Sequence, residues 1–336
     1  MVGAGINRGV CVMSNVQKMG WVYFAGFIFV VASGLYPPFQ DEHGRQFGLF
    51  TLQEFELGDI NLEAAARYEH TDVGAQSIGV DRNFNAFSAA LGASYEFTPN
   101  VRVGANIVRA ERAPSAEELF SNGPHIATQS FEIGDPTLAT EKSWGGEIYA
   151  RAERGPFEFS ASVFANKFDD FIYEAETGDE QDELPVFQYF QRDATYWGFE
   201  ASASARLFET AGIRFVADGV ADYVRATIDE AGPVPRIPPF RLLGGLEAQS
   251  ANIDGRIEAE WVDRQDRAAA FENPTDGHTL VNASIAWRPL GRANPTSVIL
   301  SANNIFDVDA RRHASFTKDF VPLAGRDLRV SARFSF

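Results

Sequence analysis

The last ten residues, 327–336 with the sequence DLRVSARFSF, alternate without error between apolar and polar side chains. A period of two residues places successive side chains on opposite faces of a β-strand. One face of this strand carries the apolar residues Leu328, Val330, Ala332, Phe334 and Phe336. The C-terminus therefore predicts a strand with one apolar face and one wet face.

The same alternation recurs along the chain and predicts thirteen strands. They cover residues 46–57, 60–70, 84–97, 101–110, 143–154, 157–172, 194–208, 212–226, 240–250, 253–265, 278–288, 296–305 and 325–336. Strands of soluble sheets average about 5–6 residues, whereas a tilted strand needs about 9–11 residues to cross a bilayer. Because most of the predicted strands are this long, their length favours a membrane barrel over a soluble β-sandwich.

Connections of two lengths alternate between these strands. Short turns rich in Gly, Pro and Asn alternate strictly with long polar loops at residues 71–83, 111–142, 173–193, 227–239, 266–277 and 306–324. Bacterial outer-membrane barrels have short periplasmic turns and long extracellular loops, and a soluble sandwich gives no reason for such alternation. The predicted fold is all-β, an antiparallel transmembrane β-barrel of 13–14 strands with its long loops outside the cell.

Composition excludes several functions. The chain carries 29 Lys+Arg against 46 Asp+Glu, a net charge of -17, which disfavours nucleic acid as a partner. Its single cysteine, Cys11, excludes a disulfide framework and cysteine-ligated metal centres. The sequence has neither a nucleophile-elbow motif nor a phosphate-binding glycine loop, so we predict no enzymatic activity and no cofactor.

Residues 1–45 differ in composition from residues 46–336, which we predict to form the barrel domain. Residues 20–36, GWVYFAGFIFVVASGLY, are an apolar run. It fits a cleaved secretory signal, since Arg8 and Lys18 precede it. It fits equally well an extra strand that would give an even count of fourteen. A transmembrane helix is disfavoured because the run is short and rich in β-branched residues.

Residues 109–151, RAERAPSAEELFSNGPHIATQSFEIGDPTLATEKSWGGEIYAR, carry a family resemblance. A strand that ends in R-A-P is followed by E-L, a long loop and then G-D-P-x-L-x-x-E-x-S-W. Residues 303–307, NNIFD, and the terminal aromatic Phe336 complete the pattern. In this order the motifs resemble the barrel of TonB-dependent outer-membrane receptors. Residues 123–132 resemble, more weakly, the subgroup that takes up zinc or other metals.

The resemblance implies a function and several partners. It implies the outer membrane of a Gram-negative bacterium, contact with its lipid and lipopolysaccharide, assembly by the barrel-assembly machinery through Phe336, and uptake of a scarce metal ion or siderophore. Members of the family carry an N-terminal plug, a TonB-interacting segment and a barrel of twenty-two strands. We therefore expect an incomplete part of such a barrel, which engages TonB only if a plug is supplied elsewhere. A passive pore and a nonfunctional truncated remnant are the alternatives.

Histidines mark the candidate ligand site. All five, at positions 43, 70, 125, 278 and 313, fall at or beyond the predicted external ends of strands. His125 lies inside the family-like motif, and Glu132 and Asp135 could complete a metal site with it if the loop folds back. The other interpretation is that histidine is tolerated in solvated loops. Residues 174–183, EAETGDEQDE, predict an acidic, solvated loop at the mouth.

Overall fold

The computed structural model describes residues 30–35, 42–291, 293–294 and 296–334. In these residues the chain forms seventeen strands, one short α-helix, α1 (Ala116–Phe120), and one 3₁₀ turn, Gln76–Ile78. The strands are β1 (Val30–Leu35), β2 (Glu42–Leu57), β3 (Ile60–Ala75), β4 (Val80–Thr98), β5 (Val101–Arg112), β6 (Asn122–His125), β7 (Ser130–Ile133), β8 (Glu141–Arg154), β9 (Phe157–Gln181), β10 (Leu184–Thr210), β11 (Ile213–Ile228), β12 (Gly232–Pro233), β13 (Arg241–Gln249), β14 (Ile253–Val262), β15 (His278–Trp287), β16 (Ser297–Asn303) and β17 (Asp327–Arg333).

All thirteen predicted strands are present, and each pairs antiparallel with the next. Three short strands, β6, β7 and β12, lie inside long loops, so β5 pairs with β8 and β11 pairs with β13. The alternation of short turns and long loops places every long loop at the same end of the sheet. We call this end the long-loop end. The all-β transmembrane barrel fold is thus confirmed.

Large apolar side chains on the outer face are highly exposed, which would be unfavourable in contact with water. Leu91 and Ile148 are 62% and 63% exposed, and Leu246 and Ile257 are 55% and 51% exposed. A monomeric soluble protein rarely carries so continuous an apolar surface, whereas a lipid-facing band requires one. The outer face therefore has the character of a bilayer contact.

The opposite face of the same strands is charged and paired. Arg256 holds Asp218 through two hydrogen bonds of 2.5 and 2.9 Å, and Arg241 lies 2.8 Å from Asp222. A cavity of about 380 Å³ opens on this face, and Glu147 is among the residues that line it. The mixed charge fits a wet lumen, as the alternation predicts.

Two predicted long loops, 71–83 and 173–193, are shorter than predicted because the strands continue into them. β9 and β10 remain paired as far as Gln181 and Leu184, so the expected loop 173–193 is a tall hairpin closed by Asp182 and Glu183, both with positive φ. Its alternate side chains pack inward, Ile172 and Val186 being 5% exposed, and this burial extends the strands. The carboxylates at its tip are exposed, as predicted for a solvated acidic end.

Part of the N-terminal apolar run is a strand. β1 pairs antiparallel with β2, from Val30 opposite Gly48 to Leu35 opposite His43. The remainder of the run, the secretory-signal interpretation and the terminal Phe336 lie outside the described residues. Within the described residues, no helix has both the length and the apolar composition needed to span a membrane.

Candidate metal site

The family-like motif forms a network of ion pairs at the long-loop end. Arg112, at the end of β5, donates to both oxygens of Glu118 at 2.8 and 2.9 Å and to Glu141 at 3.0 and 3.1 Å. Burial opposes the charged guanidinium, yet the hydrogen bonds and charges of Glu118 and Glu141 raise the pKa of Arg112 above its usual range. These ion pairs join β5, helix α1 and the start of β8, and thereby fix the helix against the barrel wall.

Helix α1 is too short to be stable alone, so capping and packing hold it. Ser115 caps it, because its hydroxyl accepts from Glu118 N at 3.1 Å while Glu118 Oε2 accepts from Ser115 N at 2.8 Å. Leu119 is fully buried, and Phe120 is 7% exposed in the same core cluster. Glu117 lies on the exposed side of the helix.

The G-D-P turn, residues 134–136, docks onto this helix. The Gly134 amide donates to Ser121 O at 2.7 Å, and the Asp135 amide donates to Glu118 O at 2.9 Å. A Cβ at position 134 would meet the backbone N of Phe120 at 2.6 Å, which only glycine avoids. The Asp135 carboxylate is engaged within the turn, where Oδ1 accepts from Thr137 N at 2.8 Å and from Thr137 Oγ1 at 2.6 Å.

The hairpin β6–β7 carries the predicted ligands and folds back over the helix. His125 pairs with Ser130 in the hairpin, and this register brings its Nδ1 to 2.5 Å from Glu132 Oε1. The same Glu132 oxygen accepts from the hydroxyls of Thr128 and Ser130 at 3.2 and 3.3 Å. The ligand atoms of Glu117, His125 and Glu132 all lie within 4.8 Å of one another. We call these three residues the hairpin cluster.

The hairpin cluster can hold a metal ion by its donor set. It offers one imidazole nitrogen and two carboxylates, which are ligands of zinc and other first-row divalent ions. The His125 side chain is 46% exposed and the Glu132 side chain 8%, so one ligand faces solvent while the other is fixed. Such a site is open on one side, as capture of an ion from outside requires.

A third acidic residue, Glu174 of β9, lies near the hairpin cluster. Its side chain is 9% exposed, and its Oε2 is 3.6 Å from Arg236 Nη2. Its other oxygen, Oε1, is buried without a hydrogen-bond partner. Burial, followed by the negative charge of Glu132, raises the pKa of Glu174 to about 7.

A second charged group, the Glu272 clamp, joins two other long loops. Glu272 Oε1 accepts from Lys318 Nζ at 2.7 Å and lies 3.2 Å from His313 Nε2. Backbone amides of Arg236 and Ala269 also donate to this carboxylate, each at 2.9 Å. Burial opposes ionisation here too, but the hydrogen bonds from His313, Lys318 and Ala269 lower the pKa of Glu272 to about 2.

The structure brings together two of the three ligand residues predicted from the sequence. His125 and Glu132 are in contact, whereas the Asp135 carboxylate belongs to the neighbouring turn. Glu117 and Glu174 were not predicted. Glu117 stands eight residues before His125 on an element with no visible helical period, and Glu174 belongs to another loop. The capping box of residues 115–118, S-A-E-E, was the one signal of a helix that could have placed Glu117.

The other described histidines do not join the hairpin cluster. His70 Nε2 lies 3.3 Å from Asp72, and His70 Nδ1 contacts Asn85 at 2.9 Å. His278 is 8% exposed at the start of β15, and His313 belongs to the Glu272 clamp. His125 is thus the one described histidine with two carboxylates in ligand geometry.

Comparison with known proteins identifies the family of the barrel. The family model described as "TonB dependent receptor-like, beta-barrel" matches residues 16–305. The chain belongs to the TonB-dependent receptor β-barrel family. The motif network and the hairpin cluster are therefore features of a receptor barrel.

Individual relatives are distant but share the fold. The TonB-dependent heme receptor A of Haemophilus influenzae (strain 86-028NP) is 20% identical over 90% of this chain and 46% of its own length. The copper transporter OprC superimposes with a TM-score of 0.75 at 19% identity, over 88% of this chain and 48% of its own. The FrpB iron transporter of Neisseria meningitidis (F3-3 variant) gives 0.67 at 18% identity, over 86% and 45%. The chain thus spans about half the length of the relatives it matches.

Proposed function

We propose that this TonB-dependent receptor barrel serves nutrient uptake across the outer membrane of a Gram-negative bacterium and captures a divalent metal ion at its long-loop end. The observation that carries the proposal is the hairpin cluster, in which Glu117, His125 and Glu132 present ligand atoms within 4.8 Å of one another. Asp135 supports the site by holding the turn that follows β7.

The names of the relatives support a metal-containing cargo. They include a heme receptor, a copper transporter and an iron transporter. A bare ion is favoured over a siderophore here, because the cluster presents ligand atoms at the spacing of a single ion. With nitrogen and oxygen donors and no sulfur, the cluster suits zinc, manganese or ferrous iron better than cuprous copper.

The proposed partners follow from the outer face, the loop tips and the terminal strand of the barrel. The outer apolar face contacts membrane lipid, and the acidic loop tips contact lipopolysaccharide through divalent ions. Barrel assembly would use the terminal strand, with Phe336 as the residue recognised by the assembly machinery. Coupling to TonB requires a plug domain, which in this family fills the barrel, and we propose that transport depends on one.

Titration of the folded full chain with zinc alone tests the metal site. In detergent, isothermal calorimetry should show saturable binding of one ion, which His125→Ala abolishes. His70→Ala is the matched control, because His70 is also a partly exposed histidine beside a carboxylate. The proposal is wrong if the wild-type chain binds no zinc, or if His125→Ala and His70→Ala bind it equally well. Heat-modifiable gel migration confirms that each variant is folded.

A further inference from the structure

Glu174 is unusual among the carboxylates near the hairpin cluster because it is buried and only half satisfied. Its side chain is 9% exposed, and its Oε1 has no hydrogen-bond partner. In the described part of the chain it forms an ion pair with Arg236, at 3.6 Å, which is longer than the 2.7–2.9 Å typical of a charge-assisted hydrogen bond. A buried carboxylate held this loosely is costly, so it is suited to a partner that is not always bound.

The backbone register points Glu174 and Glu132 to the same face. β7 pairs parallel with β10, with Glu132 opposite Phe187, and β9 pairs antiparallel with β10, with Glu174 opposite Tyr189. Residues two apart on a strand share a face, and paired residues on adjacent strands share it too. Glu132 and Glu174 therefore project from one face of a three-stranded sheet, on either side of β10.

The charges around this face do not balance. With the three carboxylates ionised and His125 neutral, as a bound metal ion requires, Glu117, Glu132 and Glu174 contribute three negative charges and Arg236 one positive charge. The remaining formal charge of two is what a divalent cation would neutralise. The negative charges of Glu132 and Glu117 both act on Glu174, which places its carboxylate within electrostatic range of the hairpin cluster.

Arg236 has other contacts that would hold it if it released Glu174. Its guanidinium lies over the ring of Phe316, 4.1 Å from the centroid. Its backbone amide donates to Glu272 Oε1 at 2.9 Å, and this bond does not depend on its side chain. Its side chain is 25% exposed, so the freed charge would have access to water.

From these observations we propose that Glu174 is the fourth ligand of the metal site and that Arg236 is the counter-ion which the arriving cation displaces. This inference rests on the proposed function, since it assigns further residues to the same site. The site would then contain one imidazole and three carboxylates. Without the metal ion, Arg236 forms an ion pair with the Glu174 carboxylate. The metal must displace Arg236 to bind this carboxylate.

The proposal predicts opposite effects for two substitutions, measured with zinc alone on the full chain. Glu174→Gln keeps the size of the side chain but removes a ligand charge, and should weaken zinc binding about 10–100-fold, the range seen when groups that support a metal site are lost. Arg236→Met removes the competitor and should strengthen binding. If the two residues were only a structural ion pair, both substitutions would weaken it.

Glu176→Gln is the matched control, because it removes the same charge two residues further along β9. Glu176 lies on the same face, opposite Phe187, but the carboxylate that acts on it is Asp319 of another loop and not one of the hairpin cluster, so its substitution should leave zinc affinity unchanged. Cobalt is a second probe, since its visible absorption reports its ligands. The cobalt spectrum should change in Glu174→Gln and stay the same in Glu176→Gln.

The outcomes separate this inference from the proposed function. Absence of saturable zinc binding by the wild-type chain overturns both. Wild-type binding that His125→Ala abolishes, together with unchanged affinity in Glu174→Gln, overturns only the fourth ligand. Weaker binding in Arg236→Met overturns the competition, whatever Glu174→Gln shows.

Discussion

Glu174 and Glu272 are two buried carboxylates at the same end of the barrel, and their surroundings give them opposite properties. Each side chain is 9% exposed. Burial acts against the charge of both, yet the pKa of Glu174 is raised to about 7 and that of Glu272 is lowered to about 2. The extent of burial therefore does not decide which form of the carboxylate is stable.

The partners of each carboxylate explain the difference. Glu272 accepts from the ammonium of Lys318 at 2.7 Å and from two backbone amides. Glu174 has a guanidinium at 3.6 Å and the negative charges of Glu132 and Glu117 nearby. The Glu272 clamp is complete within the protein, whereas the carboxylates around Glu174 outnumber the guanidinium of Arg236. Only the second arrangement leaves a role for a cation from outside.

Removal of Lys318 should destabilise the long-loop end most, because it leaves Glu272 buried without its ammonium partner and so brings it closer to the situation of Glu174. Lys318 is 4% exposed, and breaking a buried ion pair on one side costs about 3–5 kcal/mol. In Lys318→Met, the backbone amides of residues 266–277 and 306–324 should lose protection from hydrogen exchange. Lys167→Met, which removes an exposed lysine of β9, is the control. Unchanged protection in Lys318→Met would mean that the clamp does not hold the two loops together.

Leu119→Ala should have the second-largest effect on stability, and it should act on the hairpin cluster and not on the Glu272 clamp. Leu119 is a fully buried residue of helix α1, and such truncations cost about 2–5 kcal/mol. Since the helix carries Glu117, zinc affinity should fall together with the protection of residues 113–142. Ile126→Ala, in the β6–β7 hairpin and 87% exposed, should change neither quantity. If Leu119→Ala lowers protection without affecting zinc binding, Glu117 is not a ligand.

The sequence predicted the barrel far better than the site. Period-two alternation is a local property, so each strand could be recognised from its own residues, such as 253–265 for β14. The strands of the tall hairpin were underestimated, because their upper parts carry polar residues on both faces. β1 was left open between a signal and a strand, since an apolar run without alternation fits either.

The site was only partly predictable because its residues converge through tertiary contacts. His125 and Glu132 belong to one hairpin, so proximity in sequence was informative for them. Glu174 approaches through the parallel pairing of β7 with β10, which no local pattern encodes. Asp135 had suitable chemistry and spacing, but a Gly-Asp-Pro turn uses its carboxylate to hold Thr137.

Acid should open the clamp by a smaller amount than Lys318→Met, because a protonated Glu272 can still hydrogen-bond. A carboxylate whose pKa is lowered on folding stabilises the folded state at pH values above its usual pKa of 4.5. This contribution is lost as the pH falls towards the folded-state pKa of about 2. Hydrogen exchange of residues 266–277, corrected for intrinsic rates, should therefore accelerate in this window. In Glu272→Gln the acceleration should be absent. An equal acid response in both proteins would assign the opening to another group.

Ser115→Ala should have the smallest effect and the most local one. It removes the hydroxyl that caps α1 but leaves the Ser115 amide bond to Glu118, and the loss of an N-cap costs about 0.5–2 kcal/mol. Because Arg112 still holds Glu118, the helix should fray rather than detach. Zinc affinity should fall slightly through Glu117, and Ser115→Asp, which restores a cap, should recover it. The Glu272 clamp should not respond to either substitution, since it shares no residue with α1. A change in protection at residues 266–277 would show that the two charged groups are coupled across the mouth of the barrel.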